Sequence, residues 1–348
     1  MTIPAIPLTP SRTIGTGYPA YIIAEIGSNH DGDLERAKTL IRKAKDAGAD
    51  AAKFQSFQVK TLINHRWKSE GRWVNDPSWN LLESLSLPQE WHDLLQQEAR
   101  EQDIDFISTP FDNERLKWLV DLDVPAIKIA SGDLTYFELL KAAGESGKPI
   151  FLSTGHANLG EVENGLQVLW KTGCKHIVLL HCASIYPASF KDTRLRSMTS
   201  MQQGFQVQVG YSDHTPGSVA TLGAIALGAC VIEKHLTDDR TRSGPDHPFA
   251  LTTDEFGQMV KEVRQLEEAL TGKIKSPRPP EKEERILARR AIYANTNIAR
   301  GMTVQREMVK IVRHAYPEGV PADAWEKIEG KPVVSDIEEH ALITWDMF

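Results

Sequence analysis

Eight short apolar, β-branched runs follow one another along the chain, each separated from the next by a segment with helical periodicity. Strands linked through helices pair in parallel and are covered on both faces, which is why they read as nearly continuous apolar runs. The runs are YIIAEIG from Tyr21, AAKFQSF from Ala51, IDFISTPF from Ile104 and AIKIASG from Ala126. They continue with PIFLSTG from Pro149, HIVLLHC from His176, QVQVGYS from Gln206 and VIEKHLT from Val231. Between the first two, Leu34, Ala37, Leu40, Ile41 and Ala44 share one helix face. Gly48, Gly144, Gly173 and Gly228 fall where such helices should stop. Eight strand–helix units in roughly 250 residues are what a closed parallel barrel requires. The sequence therefore predicts an α/β protein with a (β/α)8 TIM barrel over residues 1–272. A doubly wound open sheet is the alternative, but no glycine-rich dinucleotide fingerprint follows the first strand.

In such barrels the active site lies at the C-terminal ends of the strands. Here those ends are polar almost throughout: Glu25, Lys53 with Gln55, Ser108 with Thr109, and Lys128 with Ser131. The later strands end in Ser153 and Thr154, His181 and Ser184, Asp213 and His214, and Glu233 and His235. Lys53 and Gln55 are two apart, as are Glu233 and His235, so each pair shares a strand face. Buried charge is costly without a partner or ligand, and a ring of it marks a site. Two lysines with the hydroxyls of Thr109, Ser131 and Ser153 suit a phosphate or a carboxylate. A Schiff-base role for Lys53 or Lys128, or a plain ion pair, is also open. His214 and His235 stand on neighbouring strands, with Asp213, Glu233 and Asp246 as carboxylates nearby. They suit a divalent metal with open positions, or a histidine–carboxylate acid–base pair. His30, His156, His181 and His247 read as structural or supporting residues, and Cys182 as a small buried apolar one. Tyr186-Pro187 and GPDHP (244–248) read as turns, with Asp246 placed to meet a sugar hydroxyl.

The totals narrow the partners. A net charge of −7 argues against a nucleic-acid surface, so an anionic ligand needs a local cationic pocket. No apolar run is long enough for a membrane span, and the N-terminus lacks the pattern of a signal peptide. Three cysteines, an odd number, suit a reducing cytoplasm rather than a disulfide scaffold. After Leu270 the stretch TGKIKSPRPPEKEE, rich in proline and charge, reads as a linker over 273–287. Residues 288–348 hold short strands and turns, a module small enough to expect packing against a partner.

Read together, the segments AEIGSNHDG (24–32), KFQSF (53–57), ISTPF (107–111), IKIASGD (127–133), LSTG (152–155), LHCASIYP (180–187), GYSDHTPG (210–217), EKHLT (233–237) and GPDH (244–247) resemble the sialic acid synthase family. That family includes N-acetylneuraminate and legionaminate synthases, and it closes with an antifreeze-like SAF domain of β-clip type, which residues 288–348 resemble. The resemblance implies a homodimeric transferase that condenses phosphoenolpyruvate with N-acetylmannosamine or a related 2-acetamido sugar aldehyde. It implies phosphoenolpyruvate contacts from Lys53, Thr109, Lys128, Ser131, Ser153, Ser184 and Ser212. Manganese or magnesium would sit on His214 and His235, with Glu25 and Glu233 beside it for proton transfer. Gln55, Asp133, Tyr186 and Asp246 would meet the sugar, as would Arg313, reaching across from the SAF domain of the other subunit. Three segments depart from the family pattern: Arg313-His314-Ala315 stands for Arg-Pro-Gly, Ser184 replaces a frequent asparagine, and His156 a frequent methionine. The GPDH segment points away from the pseudaminate branch. Legionaminate synthase acting on 2,4-diacetamido-2,4,6-trideoxymannose, another phosphoenolpyruvate-dependent 3-deoxy-sugar acid synthase, and a non-catalytic carbohydrate-binding barrel are the alternatives.

Overall fold

A computed structural model of the chain describes residues 3–272 and 274–348. It divides into two compact units, Met1–Thr271 and Gly272–Phe348. In the first unit all eight expected strands form: β1 Tyr21–Gly27, β2 Ala51–Ser56, β3 Asp105–Pro110, β4 Ile127–Ile129, β5 Ile150–Ser153, β6 Ile177–Cys182, β7 Gln208–Asp213 and β8 Val231–Thr237. The helices that follow them are α1 Leu34–Asp46, α2 Gln89–Glu101, α3 Asn113–Asp121, α4 Phe137–Glu145, α5 Leu159–Lys171, α6 Arg196–Phe205, α7 Val219–Ala226 and α8 Thr253–Ala269. A parallel ladder runs β3-β2-β1-β8-β7-β6-β5-β4. Its two end strands, β3 and β4, pack side by side, so the sheet wraps into a nearly closed TIM barrel.

Strand alternation then sorts the side chains. On β1, Ile22, Ala24 and Ile26 face the helices, whereas Tyr21 and Ile23 join the barrel interior with Ala51, Phe151, Val178, Leu180 and Val231. An antiparallel hairpin, Ile6–Thr9 with Arg12–Ile14, adds Ile6, Leu8 and Ile14 to this inner cluster. The interior is thus apolar at the floor. One step further along the same inward rows come Glu25, Lys53, Glu233 and Cys182, at the mouth.

Helix ends follow local chemistry. Asp33 caps α1 by accepting from the Arg36 amide at 3.1 Å, and Asn158 and Thr252 open α5 and α8 with capping boxes. Gly48, Gly173 and Gly228 follow their helices with φ of 83°, 85° and 97°. Gly144 does not end its helix. It lies within α4, where a Cβ would come 2.3 Å from Thr172 Oγ1, and Gly147 takes the left-handed position instead.

The second unit pairs β9 Arg290–Ala294 with β10 Val309–Arg313 in antiparallel fashion around Ile292, Val304, Val320, Ile328, Val333 and Ile343. The stretch expected as a linker begins at Lys273, which lies outside the described residues, yet most of it forms α9, Pro279–Ala288. Its prolines occupy the first helical turn, where no amide donor is needed, and the Arg278 amide donates to Glu281 Oε2 at 2.7 Å. Proline there starts a helix rather than preventing one.

Candidate active site

The inward rows converge on a cavity of about 300 Å³ at the C-terminal ends of the strands. Clefts of about 690 and 420 Å³ elsewhere on the barrel are larger, but neither gathers a comparable set of buried charges. Register brings the mouth residues side by side: Glu25 pairs with Lys53 of β2 on one side and His235 of β8 on the other, and Ser212 of β7 lies beside Glu233.

Two lysines and two glutamates form the charged floor of this cavity. Lys53 Nζ lies 2.7 Å from Glu25 Oε2 and 3.6 Å from Glu233 Oε1, and donates to Thr109 Oγ1 at 3.1 Å. Lys128 Nζ lies 3.7 Å from Glu233 Oε1. Burial lifts the Glu25 carboxyl well above the usual carboxylate range, against the pull of Lys53. Glu233 is equally buried, but Lys128 and Lys53 together outweigh burial and hold it below that range, firmly charged. Its Oε1 accepts from Ser212 Oγ at 3.1 Å, while its buried Oε2 has no hydrogen-bond partner. Two ammonium groups thus face one firm carboxylate and one reluctant one, which leaves the floor net positive and suited to an anion. Beside them, Ser131 Oγ accepts from the Gly155 amide at 3.1 Å and lies 3.1 Å from Cys182 Sγ. A Cβ at Gly155 would fall 2.0 Å from Ser184 Oγ, so the wall closes only around glycine.

The imidazoles stand on the opposite side of the same cavity. His214 and His235 have ring centroids 5.6 Å apart. Burial lowers both: His214 falls to about 4, and His235 shifts in the same direction. Neutral rings are what a metal ligand requires. The His214 Nδ1–H donates to Ala183 O at 2.9 Å, which leaves Nε2 its lone pair. His235 Nδ1 is buried without a hydrogen-bond partner, 3.9 Å from Asp246 Oδ2. Two neutral imidazoles with ring centroids 5.6 Å apart, one with a buried nitrogen that has no hydrogen-bond partner, fit a divalent cation with open positions. Among the described residues no three His, Cys, Asp or Glu side chains converge as a complete ligand cage, so the pair is all the nitrogen such an ion would find.

Most residues singled out by sequence meet here. Glu25, Lys53, Gln55, Thr109, Lys128, Ser131, Ser153, Ser184, Tyr186, Ser212, His214, Glu233, His235 and Asp246 all line the cavity. Gln55 Nε2 donates to Glu25 Oε1 at 2.8 Å, and Tyr186 packs on His214 with ring centroids 4.2 Å apart. Asp133 is not among the lining residues; it is half-buried just past β4, with its carboxyl raised to about 6 by burial. Arg313 belongs to the second unit, on β10. Asp213 turns away from the imidazoles: it is salt-bridged to Lys234 at 2.8 Å and takes hydroxyl hydrogen bonds from Thr215 and Thr221. His181 also points outward, bonded to Thr193 O and stacked on Tyr211. Cys182 is buried, as its type suggests, but it also lines the cavity, as does His156. Cys182 shares the inward row of Val178 and Leu180, and that alternation would have revealed it.

A (β/α)8 barrel whose mouth holds paired lysines, two glutamates of opposite protonation tendency and two neutral imidazoles belongs to an enzyme acting on an anionic, oxygen-rich substrate. Residues 40–275 match the NeuB family and residues 289–348 the SAF domain. The N,N'-diacetyllegionaminic acid synthase of Campylobacter jejuni is 40% identical over 329 residues, covering 92% of this chain and 98% of that protein. The human N-acetylneuraminate-9-phosphate synthase is 32% identical, covering 97% of this chain and 94% of its own length. The crystal structure of the N-acetylneuraminic acid synthetase from Leptospira borgpetersenii superposes with a TM-score of 0.75 at 33% identity, over 81% of this chain and 95% of that one. The chain belongs to the NeuB family and is an enzyme of the sialic-acid-synthase type with a C-terminal SAF domain. No helix among the described residues is long and apolar enough to cross a membrane.

Proposed function

We propose that this enzyme condenses phosphoenolpyruvate with the open-chain aldehyde of a 2-acetamido sugar, forming a nonulosonic acid and releasing phosphate by C–O cleavage. The observation that carries the reading is the convergence of Lys53, Lys128, Glu25, Glu233, His214 and His235, drawn from five strands, on one small cavity. Lys53 and Lys128 hold the phosphoenolpyruvate anion, with the hydroxyls of Thr109, Ser131, Ser153, Ser184 and Ser212 around it. Its methylene carbon then attacks the aldehyde and forms the new C–C bond. A divalent cation on His214 and His235 would supply Lewis-acid polarisation of the aldehyde oxygen, and imidazole ligation favours manganese over magnesium. Glu25, whose raised pKa suits it to exchange protons near neutrality, takes a proton from the water that adds at the cationic carbon left behind. Glu233 stays charged and stabilises that cationic carbon. The resulting tetrahedral carbon expels phosphate as its C–O bond breaks.

Gln55, Tyr186 and Asp246, on the outer side of the cavity, contact the sugar, with Asp133 close by. The C-terminal SAF domain and the similarity to the Campylobacter enzyme favour N-acetylmannosamine or 2,4-diacetamido-2,4,6-trideoxymannose over arabinose 5-phosphate or erythrose 4-phosphate. Phosphate release should therefore be seen with one of these two, with added Mn²⁺, and not with arabinose 5-phosphate or erythrose 4-phosphate. Turnover of only the phosphorylated sugars would refute the assignment. Calorimetric binding of the substrates without any release of phosphate would indicate a carbohydrate-binding barrel. Arg313 reaches the sugar from the SAF domain of a second copy in a homodimer. Mixing Arg313→Ala with His235→Ala subunits should restore activity that neither has alone; no restoration would refute the crossover. The three free, buried cysteines suit a cytoplasmic enzyme.

A further inference from the structure

The loop after β8 enters the cavity at one residue and is anchored at the next. Asp246 lines the cavity, and its Oδ2 accepts from the Ser28 amide at 3.2 Å and from Ser28 Oγ at 3.0 Å. His247 points the other way and is fully buried. Its Nε2 lies 2.9 Å from Asp31 Oδ1 and its Nδ1 lies 2.7 Å from Thr237 Oγ1. Both ring nitrogens are therefore engaged, one by the loop after β1 and the other by the end of β8. Asp31 is itself held, since Arg36 Nε sits 3.1 Å from its Oδ2. A ring locked at both nitrogens fixes the backbone on either side of it. On the far side, Phe249 packs against His235 and Tyr186, with ring centroids 4.8 and 5.2 Å apart.

We propose that His247, clamped between Asp31 and Thr237, is a positioning residue that latches the loop after β8 onto the loop after β1 and so aims Asp246 at the sugar. The proposal rests on the reading of Asp246 as a sugar contact. It also gives a role to the Asp31 side chain of the AEIGSNHDG segment, which the reaction itself does not use. The latch leaves the phosphoenolpyruvate lysines alone, because Lys53 and Lys128 lie on strands it does not touch.

Steady-state kinetics with N-acetylmannosamine and with 2,4-diacetamido-2,4,6-trideoxymannose test it on the full-length enzyme. His247→Leu, of similar bulk but without ring nitrogens, should raise the sugar KM about tenfold or more while the phosphoenolpyruvate KM and kcat move by less than about threefold. In a double-mutant cycle, Asp246→Asn with His247→Leu should be no worse for sugar KM than Asp246→Asn alone, because the second residue acts through the first. Multiplying effects, or a normal sugar KM in His247→Leu, would overturn the latch. Should His247→Leu fail to fold, Asp31→Asn keeps the shape and weakens the same anchor, and its kinetics are judged by the same criteria. An unchanged sugar KM in Asp246→Asn would instead refute the sugar assignment of Asp246. A raised KM there beside a normal one in His247→Leu refutes the latch alone.

Discussion

Lys53 and Lys128 bring the same charge to the same cavity, yet replacing each with methionine should move stability in different directions. Lys53 has two carboxylates and the Thr109 hydroxyl around it, and although burial opposes its charge, Glu233 and Glu25 hold its amine above the ordinary lysine value. Lys128 has only Glu233 at 3.7 Å and the Ile129 carbonyl at 3.3 Å, and burial prevails, so its amine is lowered. A folded pKa above the unfolded one means that the Lys53 charge stabilises the fold throughout the range below about 10.5, and that this is lost as pH rises through the folded value. For Lys128 the sign reverses, and its charged form is penalised at neutral pH. Lys53→Met should cost about 1.5–3 kcal/mol, since Glu25 loses its 2.7 Å partner and must take up a proton to stay buried. Lys128→Met should leave the melting temperature unchanged or raise it, because Glu233 keeps Lys53 and Ser212. The same variant loses a charge-assisted contact of about 1.5–3 kcal/mol to phosphoenolpyruvate. At about 1.4 kcal/mol per tenfold, its KM for that substrate should rise roughly 10- to 150-fold. Thermal unfolding of both variants, with phosphate-release kinetics on Lys128→Met, decides the matter. If Lys128→Met melts as early as Lys53→Met, or saturates normally with phosphoenolpyruvate, the electrostatic reasoning is wrong.

Three further outcomes are expected. His235→Ala should abolish turnover and weaken Mn²⁺ binding in calorimetry while circular dichroism stays native; near-normal activity would sink the metal assignment. Burial lowers His30 to about 4, and its Nδ1 accepts from the Gly32 amide at 3.1 Å. The unfolded chain protonates this histidine first, so stability should fall as pH drops from about 6.5 towards 4, by up to about 3 kcal/mol from this group. His30→Asn should flatten that slope in denaturant titrations, and an unaltered slope would exclude His30 as its source. Lys234→Met leaves Asp213 buried without its cation, and even with the Thr215 and Thr221 hydrogen bonds retained it should cost about 3 kcal/mol. A melting temperature equal to that of the parent would show that the pair contributes nothing net.

The barrel was legible because its signal is repeated: eight apolar runs leave little freedom in how they associate. The site was legible wherever two polar residues stood two apart, as with Lys53 and Gln55 or Glu233 and His235. It was misread where polar residues at a strand end were counted without regard to alternation. Ser212 faces inward, so Asp213 must face out; His181, read as structural, also faces out, next to the inward Cys182. Past the last strand residue the alternation no longer applies, which is why Asp133 could not be placed in advance. The helix at 279–288 was obscured by its prolines, whose meaning depends on whether they precede or interrupt the first turn.

The N-terminal hairpin makes the barrel a blind-ended vessel. Ile6, Leu8, Ile14 and Tyr21 stopper the bottom, so among the described residues of the barrel the charged cavity lies at the end away from the hairpin. Lys53 and Lys128 are buried, whereas Tyr186 is about half exposed. If phosphoenolpyruvate lies on the lysines and the sugar at Tyr186, the expected outcome is ordered kinetics, with phosphoenolpyruvate on first and phosphate off last, which product-inhibition patterns check.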